Sequence, residues 1–115
     1  MKTVYGIKNC STVKKVLTYL DNHAIAYTFH DYKKEGIATE KLQRWCSQVD
    51  WELLVNKKGT TWRQLDDAEK AGVTDVKTAI ALMKDKTSVI KRPVIEENDV
   101  VLCVGWNEEV LAAMI

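Results

Sequence analysis

The chain has 115 residues, 46% hydrophobic and 29% charged, which is enough for one domain with a core of its own. Seventeen basic against sixteen acidic residues leave a net charge of +1, arguing against a protein built to hold a nucleic-acid backbone or an anionic membrane. No apolar run approaches the roughly 20 residues of a membrane span, and Met1-Lys2 leads directly into a strand pattern, so a soluble cytoplasmic protein is expected.

Thr3-Val4-Tyr5-Gly6-Ile7 is β-branched and aromatic, a short strand. Val13, Val16, Leu17 and Leu20 then recur at helical spacing, and Ile25 to Tyr32 alternates apolar and polar residues as a second strand would. These three elements form a β-α-β unit, expected to be right-handed. From Lys33 to Lys86 strand signals vanish. Leu42/Trp45/Cys46/Val49 and Val76/Ala79/Ile80/Met83 mark helices, with Thr39 and Thr74 as expected N-caps. Trp51 to Asp67 reads as turns and helical pieces around Gly59-Thr60-Thr61. Val94-Ile95 and Val100 to Val104, separated by Glu96-Glu97-Asn98-Asp99, predict an antiparallel hairpin, and Asn107 to Met114 a terminal helix.

Within this order the segment Lys8-Asn9-Cys10-Ser11-Thr12 places a cysteine where a strand gives way to a helix. Free N–H groups and the helix dipole favour a thiolate there. Lys8, Asn9, Ser11 and Thr12 adjoin it as candidate anion-binding positions, with ordinary capping as the plain alternative. Three cysteines cannot all pair within one chain and none forms a C-x-x-C, so a reducing compartment fits. Cys46 and Cys103 sit in apolar stretches and are expected in the core. His23 closes a helix and His30 alternates within a strand, so neither is expected to act as a base. No His/Cys cluster has zinc spacing, and no metal is expected. Trp45, Trp51, Trp62 and Trp106 read as core or rim packing. The pairs Lys14-Lys15, Lys33-Lys34 and Lys57-Lys58 read as solvated faces that add a weak positive field.

The expected fold class is α/β: a thioredoxin-like mixed sheet, β-α-β then β-β-α, with a helical insert between the second and third strands. The boundaries read as one domain over 1–115, with the thioredoxin-like part at 1–34 and 87–115 and the insert at 35–86. Tyr5-Gly6-Ile7-Lys8-Asn9-Cys10, His30-Asp31-Tyr32, Gly59-Thr60-Thr61-Trp62-Arg63 and Ile90-Lys91-Arg92-Pro93 together resemble the ArsC/Spx family, in its YffB branch, over essentially the whole chain. The resemblance implies that Cys10 is the reactive cysteine, that Arg92 is an active-site arginine, and that the Arg92-Pro93 bond is cis. An arginine so placed stabilises a thiolate and grips an anion bidentately, with Pro93 lining the same place.

Departures from the family pattern sort its activities. Glutaredoxin-linked arsenate reductases of the family hold the oxyanion with three arginines. The resemblance puts Asn56, Arg92 and Val104 at those positions, leaving one. Arg63 stands either as a partial substitute or as a packing and cation-π residue on the insert. Regulators of the Spx type typically carry C-x-x-C, whereas the fourth position here is Val13. A single reactive cysteine forms a mixed disulfide with a small thiol instead. The YffB-branch resemblance thus implies a glutathione-dependent thiol reductase, with glutathione or another small thiol as co-substrate and a protein disulfide as a further substrate. The alternatives are an Spx-like redox module docking on RNA polymerase, and an arsenate reductase.

Overall fold

The computed structural model describes residues 1–115. In chain order the elements are β1 (Lys2–Gly6), α1 (Ser11–Asn22), β2 (Tyr27–Asp31), α2 (Tyr32–Glu35), α3 (Thr39–Gln48), α4 (Trp51–Leu54), α5 (Thr60–Arg63), α6 (Asp67–Ala71) and α7 (Val76–Asp85). A 3₁₀ turn at Thr87–Val89 follows, then β3 (Val94–Glu97), β4 (Val100–Val104) and α8 (Glu108–Ala112). The chain divides into two compact units, residues 1–35 with 92–115, and residues 36–91. No helix is long and apolar enough to cross a membrane.

The first unit holds one mixed sheet in the order β2-β1-β3-β4. β1 runs parallel to β2 and antiparallel to β3, which pairs antiparallel with β4. This is the expected β-α-β and β-β-α sequence of elements. The register Val4↔Phe29, Val4↔Ile95 and Ile95↔Cys103 aligns one apolar row across all four strands. Val4, Ile95 and Cys103 of that row cluster with Val16 and Leu20 of α1 and Leu111 of α8, all buried. Each large aliphatic side chain buried in this way contributes about 1.5–3 kcal/mol. The alternate row carries Tyr5, His30, Val94 and Glu96, and includes the polar residues that reach the site.

The strand bounds differ from expectation: β1 covers Lys2–Gly6 rather than Thr3 to Ile7, and β2 ends at Asp31, with Tyr32 opening α2. β2 starts at Tyr27, because Ile25 follows the left-handed Ala24 (φ 55°) and its N–H still closes onto Leu20 O at 3.0 Å. Glu96 and Glu97 belong to β3, paired with Val101 and Val100, so the hairpin loop is only Asn98-Asp99. Both have positive φ, 53° and 65°, the signature of a two-residue type I′ turn. The β3/β4 register also shifts between Ile95 and Glu96, leaving Leu102 as the extra residue of a bulge.

In the second unit α3 packs against α7, burying Leu42, Trp45, Ala79, Ile80 and Met83. An isolated bridge, Val55↔Ile90, ties the stretch after α4 to the end of the 3₁₀ turn, flanked by Lys91 N–H donating to Leu54 O at 2.7 Å. Two expected caps move by one residue. Ala38 caps α3 through its backbone, with Thr39 already helical. Asp75 rather than Thr74 caps α7, its carboxylate accepting from Thr78 N–H while Thr78 Oγ1 reaches back to the Asp75 N–H. Val76, expected on the buried stripe, is 43% exposed because it is the first residue of its helix. The terminal helix is shorter than Asn107 to Met114: Asn107 is its N-cap, accepting from Val110 N–H, and the helix ends at Ala112.

One glycine sets the distance between β1 and α1. A Cβ at Gly6 would stand 2.9 Å from Val13 Cγ2, so only glycine lets the first turn of α1 close onto the strand end. Gly6→Ala is expected to lower stability by about 1–3 kcal/mol in urea unfolding, the usual cost of overpacking. Adding Val13→Ala should return part of that loss; a strictly additive double variant would show that the two positions do not press on each other.

Candidate functional site

The sheet topology brings three segments to one end of the first unit. Because β1 and β2 are parallel, with Gly6 beside Asp31, their carboxyl ends point the same way. Antiparallel β3 begins at that end, with Val94 opposite Tyr5. β1 therefore delivers Cys10, β2 delivers Tyr32, and the strand entering from the other direction delivers Arg92 and Pro93. The Arg92-Pro93 bond is cis, as the resemblance implied, and the buried Pro93 accepts from Gly105 N–H at 2.7 Å through its carbonyl.

Cys10 is the N-cap of α1, with extended backbone (φ −139°, ψ 121°), and its carbonyl accepts the first helical bond from Lys14 N–H at 3.0 Å. Its side chain is partly exposed and in no disulfide. The sulfur closes no full capping hydrogen bond, yet the N–H groups at the second and third helical positions, Thr12 and Val13, face it. Partial burial pushes the thiol up. The Val13 N–H, the Arg92 guanidinium in hydrogen-bonding reach of the sulfur, the charge of that guanidinium, and the Thr12 N–H all pull the other way and win. The net result is a thiol held below its ordinary range, with a larger thiolate fraction near neutral pH.

Around Tyr32 lies a cluster of rings. The Tyr5 centroid is 4.7 Å from His30 and 6.3 Å from Tyr32, and His30 is 6.0 Å from Tyr32. The Tyr5 hydroxyl donates to the buried Glu96 carboxyl at 2.5 Å. His30 Nδ1 stands 3.7 Å from Glu35 Oε2.

Of the candidate residues, the structure brings together Cys10, Thr12, Arg92 and Pro93. Lys8, Asn9 and Ser11 are exposed in the β1–α1 connection and the first helical residue. Arg63 is the exposed last residue of α5 and belongs to the second unit. There Lys57 Nζ sits 5.6 Å from the Trp51 ring and 5.5 Å from the Trp62 ring, and Asn56 accepts from Lys58 N–H at 3.3 Å. Cys103 is buried, as expected, and its thiol donates to Gly105 O at 3.3 Å. Cys46, also expected in the core, is only half-buried in α3. Burial raises both thiols, and the Asp50 carboxylate adds to the effect at Cys46. Trp45 is fully buried, whereas the other tryptophans are half-buried; Lys15 Nζ lies 3.9 Å over the Trp106 ring. No three His, Cys, Asp or Glu side chains are grouped to hold a metal ion. Val13 N–H and Glu96 were not singled out from the sequence, and Tyr32 figured only in the stretch His30-Asp31-Tyr32 that carries the resemblance, with no role assigned. Only the first had a signal, because an N-cap at Cys10 makes Val13 the third helical residue, whose N–H an N-cap side chain faces.

A four-stranded thioredoxin-like unit with one activated cysteine at the start of its first helix defines a class of thiol-bearing domains. Comparison with known proteins narrows it: the ArsC family model matches residues 5–114, and this chain belongs to the ArsC family. The solved structure of the YffB (PA3664) protein is 46% identical, with a TM-score of 0.93, covering 99% of this chain and 98% of that one. An arsenate reductase (ArsC) related protein from Brucella melitensis is 44% identical, with a TM-score of 0.77 and coverage of 97% and 92%. An uncharacterized protein of Haemophilus influenzae is 43% identical over 109 residues, 95% of this chain and 94% of its own.

The direction of the Cys10 shift fixes a pH dependence. A thiol whose folded-state pKa lies below its unfolded value stabilises the fold fully above the unfolded value. That stabilisation disappears as pH falls through the folded value. The stability gap between wild type and Cys10→Ser, from urea midpoints, should therefore widen as pH rises between those two values and stay constant above. A gap independent of pH would contradict a depressed thiol. Arg92→Ala should move the alkylation profile of Cys10 with iodoacetamide to higher pH; an unmoved profile would remove Arg92 from the sulfur.

Proposed function

We propose that this ArsC-family protein is a glutathione-dependent thiol-disulfide oxidoreductase working through Cys10 alone. The observation that carries the reading is the pairing of a partly exposed, depressed thiol with Arg92 at the start of α1, while Val13 occupies the place where a local resolving cysteine would stand. The Cys10 thiolate attacks the glutathione sulfur of a mixed disulfide RSSG, forming a Cys10–glutathione disulfide and releasing RS⁻, which takes a proton. A second glutathione thiolate attacks the glutathionyl sulfur, forming oxidised glutathione and restoring the Cys10 thiolate. The sum is RSSG plus glutathione giving RSH plus oxidised glutathione. A depressed thiol is both a populated nucleophile and a good leaving group in the second step. Arg92 stabilises the thiolate and attracts the carboxylates of the tripeptide.

Wild type incubated with oxidised glutathione should gain one glutathione by intact mass, mapped to Cys10, and Cys10→Ser should gain none. Turnover should appear with a glutathionylated substrate and free glutathione. An adduct retained at the same stoichiometry in Cys10→Ser would defeat the assignment. Adduct without turnover, together with capture of RNA polymerase subunits, would favour a regulatory binding module. Turnover dependent on arsenate, glutathione and glutaredoxin would favour arsenate reduction despite Asn56 and Val104.

A further inference from the structure

Tyr32 directly follows β2 as the first residue of α2, and it is 2% exposed. Its backbone is fixed by the turn around it: Asp31 Oδ1 accepts from Lys33 N–H at 2.9 Å, and Glu35 Oε2 accepts from Asp31 N–H at 3.2 Å. Its ring packs with Tyr5 and His30. Yet its hydroxyl, buried with the rest, has no protein group within hydrogen-bonding distance. Tyr5 beside it differs, since its hydroxyl is engaged by Glu96 at 2.5 Å. A buried hydroxyl left without a partner is destabilising, and phenylalanine would pack the same ring without that cost.

The place of this hydroxyl gives it a use. Tyr32, Cys10 and Arg92 are delivered to the same end of the sheet by β2, β1 and the entry to β3. Arg92 is half-buried and faces both the Cys10 sulfur and the Tyr32 phenol electrostatically. Burial first, then Tyr5 and Glu96, push the phenol well above its ordinary range against the pull of Arg92, so it stays neutral and able to donate. Among the interactions felt at the Cys10 sulfur, Tyr32 does not figure. The group of the site whose field reaches the hydroxyl is Arg92.

We propose that Tyr32 is a substrate-binding residue whose hydroxyl, covered in the free protein, is uncovered when Arg92 takes hold of an anionic oxygen of the disulfide or thiol co-substrate and then donates a hydrogen bond to it. The co-substrate class is a carboxylate-bearing thiol or disulfide. The inference rests on the reading of Cys10 as an exchange nucleophile. Glu96, which faces the same cluster, opposes a second anion there. The neutral donor on Tyr32 and the cation on Arg92 are the groups that offset it.

The test compares wild type and Tyr32→Phe for the rate at which Cys10 reacts with dithionitrobenzoate, a dicarboxylate, and with dithiodipyridine, which is neutral at pH 7. Tyr32→Phe should lower the anionic-to-neutral rate ratio by about tenfold, the scale of one hydrogen bond to a charged acceptor. Its melting temperature should be unchanged or higher, and the pH profile of iodoacetamide alkylation unmoved. An unchanged ratio would overturn the proposal. So would a shifted alkylation profile, which would make Tyr32 a support for Arg92, and so would loss of the fold, which would reveal a structural partner for the hydroxyl. Glutathione adduct formation by wild type is read in parallel. Its absence with a lowered ratio would defeat the exchange reading while leaving the anion contact standing, and its presence with an unchanged ratio would do the reverse.

Discussion

The position of β1 between β2 and β3 is the constraint on which the reactive end depends. One parallel and one antiparallel neighbour bring two strand ends and one strand beginning to a single line, so residues remote in sequence meet without any long loop to hold them. Gly6 completes the arrangement by letting Val13 close onto the strand, which puts the first amides of α1 beside the sulfur. The same alternation that sends Val4 into the apolar core sends Tyr5 to the opposite face, where its hydroxyl meets Glu96. Core and site are thus two faces of one strand.

The chemistry at Cys10 is a contest between opposing effects of comparable kind. Burial opposes the thiolate at all three cysteines. Only Cys10 combines helix-start amides with a guanidinium, and only there is the net direction downward. Cys46 has a carboxylate nearby instead, and Cys103 faces a carbonyl. Selectivity among the three thiols therefore comes from which charges and dipoles surround them, because exposure alone does not separate Cys10 from the half-buried Cys46.

Elements with strong local periodicity were legible in the sequence. α1, α3 and α7 follow from apolar spacing, and β1 and β4 from β-branched runs. Glu96 and Glu97 look like loop residues because their charge is local information. Their strand membership is set by pairing with β4 and, for Glu96, by a Tyr5 hydroxyl on another strand. The caps shifted because Asp75 and Thr74 are adjacent candidates, and only the backbone conformation chooses between them. At the site, Cys10 was legible from its place between strand and helix. Arg92 was legible through family resemblance alone, since nothing local distinguishes it from a solvated loop arginine. Tyr32 reads as the end of an amphipathic strand, and a hydroxyl without a partner is a property of three-dimensional surroundings that no spacing encodes.

The bulge at Leu102 also bears on how molecules meet one another. β4 is an outer strand, with Val100 53% exposed at its start. A flat outer strand with exposed apolar residues offers its free N–H and C=O groups as a template for another chain. The extra residue bends and twists β4, so those groups no longer lie in a straight row, and the two left-handed residues of the Asn98-Asp99 turn cut the strand off at its beginning. One extra leucine in the register is thus the kind of device by which a sheet edge is made a poor template for another chain.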